Sequence, residues 1–189
     1  MAILILGLII FLGAHTLTTL RETRAGLIAR FGENGYKGLY SLVSAVGLIL
    51  MVYGFGSYRA AGYIPVWDPP TWTRHLAIPL VWLAFIAIVA TYAPPGKIKG
   101  WLHHPMLVAI KIWAFAHLLA NGDLGGILLF GSLLAWAVWD RIAVKKRGDL
   151  GAPASASFTK GDAIAVIAGT IAAGAMVAIH PYVIGVPVV

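Results

Sequence analysis

Cysteine is absent from this sequence of 189 residues, and acidic residues are few, with Asp and Glu together numbering 7. The lack of thiols excludes disulfides, cysteine-ligated zinc, iron–sulfur clusters and thiolate catalysis. A bound metal would have to take its ligands from histidine, carboxylate or a cofactor ring. The sequence also has no Ser-His-Asp order, phosphate-binding glycine loop or HExxH motif, which disfavours soluble hydrolase and kinase chemistry.

Apolar side chains are abundant. Hydrophobic residues make up 60% of the chain and charged residues 11%, and the mean hydropathy is +0.86. A soluble domain of this size needs far fewer apolar residues to form its core, so the composition predicts an integral membrane protein. The formal charge of +7 does not indicate nucleic-acid binding, because the Lys and Arg residues lie in short connections between apolar runs.

Six apolar runs have roughly the length of ~20 residues that a helix needs to cross the hydrocarbon layer. They cover residues 1–20, 39–57, 75–92, 105–121, 124–144 and 163–184. Backbone groups cannot stay unpaired in lipid, and no long alternating segments favour a barrel. We therefore expect an all-α polytopic transmembrane bundle of about six spans, forming a single domain over residues 1–189.

The basic residues predict how the spans are oriented. Of the 14 Lys and Arg residues, eleven lie in the connections after the first, third and fifth runs, two lie on the opposite side, and Lys111 lies inside the fourth run. Lys and Arg accumulate on the cytoplasmic side of membrane proteins. Both termini should therefore face away from the cytoplasm.

Small residues predict two closely packed helix faces. In the last run, Ala165, Gly169 and Ala173 recur every four residues, a spacing that lets helices approach closely. A second face lies in the second run and consists of Ser44, Gly47, Met51 and Gly54. In the connection that follows, Tyr58, Tyr63, Trp67 and Trp72 predict an aromatic belt at the membrane interface or a short lid.

His15 lies a little over one turn before the end of the first predicted span. Thr18, Thr19 and Glu22 follow it on the same helix face. They are suitable hydrogen-bond partners for the second ring nitrogen of a metal-bound imidazole, which is usually anchored in this way. The alternative is a structural histidine whose ring bonds to a neighbouring helix.

The fourth span contains a second intramembrane histidine, His117, with Trp113 one turn before it and Asn121 one turn after it. The alternative role for His117 is an interhelical hydrogen bond. Lys111 lies near the middle of the same span, where it could pair with a carboxylate, bind an anionic group or extend towards the interface. In the fifth span, Asp140 and Arg141 follow the apolar stretch 124–138 and are expected to mark the exit of the helix into water.

His103 and His104 precede Pro105, at a position where a polar residue commonly begins a helix. His104 and His117 lie on nearly opposite faces of one helix and cannot bind the same iron from it. Two histidines on different membrane helices, with glycine and aromatic residues beside them and no thiols, are the components of a bis-imidazole haem b site.

The sequence resembles the NnrU family, which includes the plant 15-cis-zeta-carotene isomerases. The resemblance is carried by the stretches GAHTLTTLRE, GENGYKGLYSLVSAVGL and HPMLVAIKIWAFAHLLANGDLGGILLFGSLLAWAVWDR. It implies an integral membrane protein, in a bacterial inner membrane, that binds haem b through one histidine of the first span and one of the fourth. Matched position by position, His15 and His117 correspond to the iron ligands, and His104 to a further histidine of the same motif.

Depth along the predicted spans favours His104 instead of His117. A rise of ~1.5 Å per residue places His15 ~8 Å and His117 ~18 Å from the cytoplasmic edge. Tilt of the helices or of the haem could absorb this offset. We take His15 and His117 as the ligands and keep His104 as the alternative. Lys111, Arg21 and Arg24 are candidate partners for haem propionates, with lipid phosphate as the other partner for the two arginines.

The resemblance implies redox-gated cis–trans isomerisation of a hydrophobic polyene such as a carotenoid, with an electron donor that reduces the iron. A rival hypothesis is a haem-based nitric oxide or redox sensor, or an accessory protein of denitrification, without catalysis. A third is a haem-free lipid-binding or assembly factor. A fold, and even a haem site, can be kept under a different function.

Overall fold

The computed structural model describes residues 1–153, 155 and 157–188, and these residues form α-helices without a β-strand. The helices are α1 (Ala2–Thr19), α2 (Arg21–Ala60), α3 (Thr71–Tyr92), α4 (Lys97–Leu102), α5 (Pro105–Ala120), α6 (Leu124–Lys146) and α7 (Lys160–Val183). By length and composition, α1, α2, α3, α6 and α7 can each cross a membrane, and α5 is a shorter apolar helix. The predicted all-α class is confirmed for this part of the chain.

The connection predicted between the first two spans is helical, so its prediction as a loop is wrong. Helix α2 starts at Arg21, so that Leu20 alone separates it from α1, and it contains one non-helical residue, Gly32, with φ 72° and ψ 164°. Charged residues at positions i and i+4 support helix in this polar stretch, as in the 2.7 Å ion pair between Glu33 and Lys37. A second helix absent from the prediction is α4, which lies between the third and fourth predicted spans.

The first of two compact units comprises Met1–Asp68 and Asn121–Val144. Its helices α1 and α2 pack antiparallel with their backbones close together. A Cβ atom built on Gly47 would lie 2.7 Å from the backbone nitrogen of Phe11, and Gly54 packs in the same way on Leu4. Met51 is also buried. The predicted packing face of α2 is therefore confirmed at these three positions.

The second unit comprises Pro69–Ala120 and Lys145–Val189. The predicted small-residue face of α7 is buried at Ala165, Gly169 and Ala173. Gly169 packs on α3, since a Cβ atom there would lie 2.7 Å from the Cα atom of Ile86. The prediction of close packing is thus confirmed for this face.

The start of α4 is held by α7. The carboxylate of Asp162 accepts hydrogen bonds from the backbone N–H groups of Lys97 at 3.0 Å and Ile98 at 2.6 Å. It also accepts one from the backbone N–H of Thr159 at 2.7 Å, as part of a capping box. A single carboxylate therefore caps two helix N-termini, whose N–H groups would otherwise lack partners.

The aromatic-belt prediction is wrong for Tyr58, which is only 5% exposed. Its hydroxyl accepts a hydrogen bond from the backbone N–H of Ile64 at 2.8 Å, and its ring packs over Gly125 of α6. Tyr63 and Trp72 remain exposed, as a belt requires.

Candidate functional site

His15 is half-buried in α1, and its ring is anchored within the helix. Its Nδ1 lies 2.8 Å from the carbonyl oxygen of Phe11. A carbonyl only accepts, so Nδ1 carries the proton and donates it, and the neutral ring has its lone pair on Nε2. The predicted anchors are wrong, because Thr18 donates its hydroxyl to the backbone oxygen of His15 at 2.7 Å and Glu22 lies beyond the end of α1. The acceptor comes from the preceding turn instead.

Three aromatic rings surround the imidazole of His15. Their ring centroids lie at 4.1 Å for Phe11, 5.4 Å for Tyr40 of α2 and 5.6 Å for Trp136 of α6. The indole Nε1 of Trp136 donates to the hydroxyl of Thr16 at 3.2 Å, which fixes this wall relative to α1. The ring plane of His15 is therefore set by side chains from all three helices of the first unit.

Asp140 is buried, with 9% of its surface exposed, so the prediction that it marks an exit into water is wrong. Its Oδ1 accepts a hydrogen bond of 2.7 Å from the hydroxyl of Thr19. Together with the bond from Trp136 to Thr16, this contact fastens α6 to the last turn of α1, directly after His15. The sequence contains a signal that we did not use, since Trp136 and Asp140 are four residues apart and share a helix face.

Arg21 and Arg24, the predicted propionate partners, occupy the first turns of α2. Arg21 is exposed and Arg24 is half-buried. The guanidinium of Arg24 lies 5.8 Å from the centroid of the Tyr36 ring.

In the second unit, His117 repeats the hydrogen bond seen at His15. Its Nδ1 lies 2.8 Å from the carbonyl oxygen of Trp113, one turn earlier in α5, and the two ring centroids are 4.8 Å apart. The proton is again on Nδ1, which leaves the lone pair of the neutral ring on Nε2. His117 is half-buried, as is Lys111 on the same helix.

His103 and His104 form a strained corner before α5. His103 has φ 57°, a left-handed conformation that is unfavourable for a residue with a side chain, and the backbone N–H of His104 donates to the oxygen of Leu102 at 2.6 Å. The corner binds a later segment, because His103 accepts from the N–H of Ala152 at 2.8 Å. His104 places its Nε2 3.2 Å from the carbonyl oxygen of Asp149. Nε2 of His104 therefore donates, whereas the donor at His15 and His117 is Nδ1.

The two units divide the candidate residues. The first holds His15, Arg21 and Arg24, and the second holds His104, Lys111 and His117. Within the described residues, no group of three or more His, Cys, Asp and Glu side chains could hold a bare metal ion. That finding does not concern a haem, whose iron takes most of its ligands from the porphyrin.

Comparison with known proteins gives one match. No curated protein and no solved structure matches the chain. The family model described as NnrU protein matches residues 3–188, nearly the whole length. The chain therefore belongs to the NnrU family.

Proposed function

We propose that this chain is a haem b-binding integral membrane protein in which Nε2 of His15 and Nε2 of His117 ligate the iron. The proposal is carried by one observation, the 2.8 Å hydrogen bond that each Nδ1 makes to the carbonyl oxygen one turn earlier. Metal-ligating histidines almost always donate their other ring N–H in this way. The bond orients the ring and makes Nε2 the better donor to iron.

The nitrogen that each ring uses as a hydrogen-bond donor also makes His104 a poorer candidate ligand than His117. His104 uses Nε2 as a donor to Asp149, so it would have to break that bond or turn its ring to ligate through Nε2. We give this criterion more weight than the depth difference estimated from the sequence, because tilt of the helices or of the haem could absorb that difference.

Each ligand also has the apolar setting that a porphyrin requires. His15 is held among three aromatic rings, and His117 lies against Trp113. Haem iron properties depend on the axial ligands and on burial. His15 and His117 would supply the two protein ligands, and the aromatic rings beside them would exclude water from the haem.

We further propose that the protein isomerises a polyene with a cis double bond, as the resemblance to the 15-cis-zeta-carotene isomerases implies. His15 and His117 would hold the haem, and its reducible iron would supply the chemistry that lowers the barrier to rotation about a carbon–carbon double bond. The hydrophobic substrate would arrive from the bilayer, since α1 and α2 expose large apolar side chains such as Ile9 and Ile49. An electron donor would supply the reduced state.

The test is turnover by the purified protein in nanodiscs under anaerobic reducing conditions. A 15-cis carotenoid is supplied, and its isomers are separated by chromatography. We expect the trans isomer to form with wild-type protein but not with His15→Ala or His117→Ala. Haem-loaded protein that produces no trans isomer would contradict the isomerase proposal. If such protein binds nitric oxide in the ferrous state, the sensor hypothesis replaces it.

For membrane topology, we propose six crossings, with α5 as the short fourth span and both termini outside the cytoplasm. The support is the uneven distribution of Lys and Arg between the connections. We also propose, from the family resemblance, that this membrane is a bacterial inner membrane. Five of the crossings correspond to the helices that are long and apolar enough by composition.

A further inference from the structure

A kink in α2 places a cation beside a tyrosine in the first unit. Gly32 has φ 72° and ψ 164°, a conformation that side chains disfavour. The helix reverses its course there, and Arg24 from before the kink lies over the ring of Tyr36 after it, 5.8 Å from the centroid.

The hydroxyl of Tyr36 is buried and has no hydrogen-bond partner among the described residues. The side chain is 7% exposed. Buried hydroxyls normally find a partner, and one that lacks it calls for an explanation such as a ligand. One turn beyond Tyr40, the hydroxyl of Ser44 is also buried without a partner of good geometry.

Arg24 forms no ion pair with a carboxylate among the described residues. The pKa of the Glu33 carboxyl is lowered by Lys37, its ion-pair partner at 2.7 Å, and to a smaller extent by the charge of Arg24. A guanidinium without an ion-paired carboxylate and a phenol without a hydrogen-bond partner form a good binding site for a carboxylate, which accepts from Arg in a charge-assisted bond.

Arg24 and Tyr36 lie close to His15 in the first unit. The rings of Tyr36 and Tyr40 are stacked with centroids 6.3 Å apart, and Tyr40 lies 5.4 Å from the ring of His15. Tyr40 therefore lies between the ring of Tyr36 and the imidazole of His15, and the guanidinium of Arg24 lies beyond both tyrosine rings.

We propose that Arg24 and the Tyr36 hydroxyl bind a propionate carboxylate of the haem. The inference rests on the proposed function, and it adds Tyr36 as a binding residue. Arg24 is half-buried, and its long side chain would move off the Tyr36 ring to admit the carboxylate. Tyr36 would then donate its hydroxyl to the carboxylate, and Arg24 would pair with it.

The test compares haem with its dimethyl ester, in which both carboxylates are blocked. Each is titrated into haem-free full-length protein in nanodiscs, and binding is followed by the Soret band. We expect the wild type to bind haem about 10- to 100-fold more tightly than the ester, the range for hydrogen bonds to charged groups. This ratio should fall towards 1 in Arg24→Gln and in Tyr36→Phe. Arg24→Lys should keep part of it, and Arg30→Gln, the matched control at an exposed arginine that lies over the ring of Phe31, should keep all of it.

The outcomes separate this inference from the proposed function. A Soret band for bound haem together with a wild-type ratio near 1 overturns the propionate site and leaves haem ligation intact. A ratio that falls equally in Arg30→Gln overturns the assignment to Arg24. Protein that binds neither porphyrin overturns both proposals.

Discussion

Replacing Thr19 with valine should remove the hydrogen bond that ties α1 to Asp140 of α6. Valine keeps the shape of threonine but has no donor. The Oγ1 to Oδ1 distance is 2.7 Å and Asp140 is 9% exposed, so water cannot readily replace the hydroxyl. Hydrogen bonds to charged groups contribute about 1.5–3 kcal/mol, whereas those between membrane helices average about 0.6 kcal/mol with a maximum near 1.7. We expect a loss of about 1.5 kcal/mol in the free energy of unfolding, the value where these ranges meet.

Thr18→Val is the matched control. The hydroxyl of Thr18 donates to the backbone oxygen of His15 within the same helix, so its removal leaves the contact with α6 in place. We expect a change of less than about 0.5 kcal/mol, as for most substitutions away from a buried network. A double-mutant cycle of Thr19→Val with Asp140→Ala should give a coupling energy of about 1 kcal/mol.

The assay is reversible unfolding in mixed micelles with increasing sodium dodecyl sulfate, followed by circular dichroism. The reasoning would be refuted if Thr19→Val and Thr18→Val destabilised the protein equally. A coupling energy close to zero would likewise show that Asp140 does not hold α1 through Thr19.

Other predictions concern packing, strain and topology. Gly47→Ala should destabilise the protein by about 1–3 kcal/mol in the same assay, because the new Cβ would press on the backbone of α1. The control is Gly13→Ala, which has open space around it and should be neutral or slightly stabilising. His103→Gly should raise the midpoint of thermal unfolding, because it removes a left-handed conformation that costs a residue with a side chain about 1–2 kcal/mol. A lower midpoint would contradict this account. Since the chain has no cysteine, a single cysteine at Lys146 should react with an impermeant maleimide only in inside-out vesicles, and one at Tyr63 only in right-side-out cells. The opposite pattern would reverse the proposed topology.

The sequence was sufficient to predict which helix faces pack. Gly47 and Gly54 on α2, and Gly169 on α7, all lie where a Cβ atom would strike a neighbouring helix. Small residues at a helical period leave a groove that only another backbone can fill in an apolar medium. Close packing of this kind depends on residue type and spacing alone, so it can be predicted without knowledge of the fold.

The polar contacts could not be predicted in the same way. An Asp near the end of an apolar run, such as Asp140, is expected to face water. Its hydrogen-bond partner in the buried site is Thr19, which is 121 residues away along the chain. Residues 21–38 resemble a loop in composition, yet one glycine with positive φ allows helix on both sides of it. The partner of His15 was missed because a backbone carbonyl leaves no trace in the sequence.

The central claim is that His15 and His117 bind one iron, and electron paramagnetic resonance of the ferric protein tests it most directly. The purified wild type should contain haem b and give a low-spin signal typical of two imidazole ligands. His15→Gly and His117→Gly should each lose that signal and regain it on addition of imidazole, while His104→Gly should keep it throughout. Wild-type protein without haem, or loss of the low-spin signal in His104→Gly alone, would contradict the account.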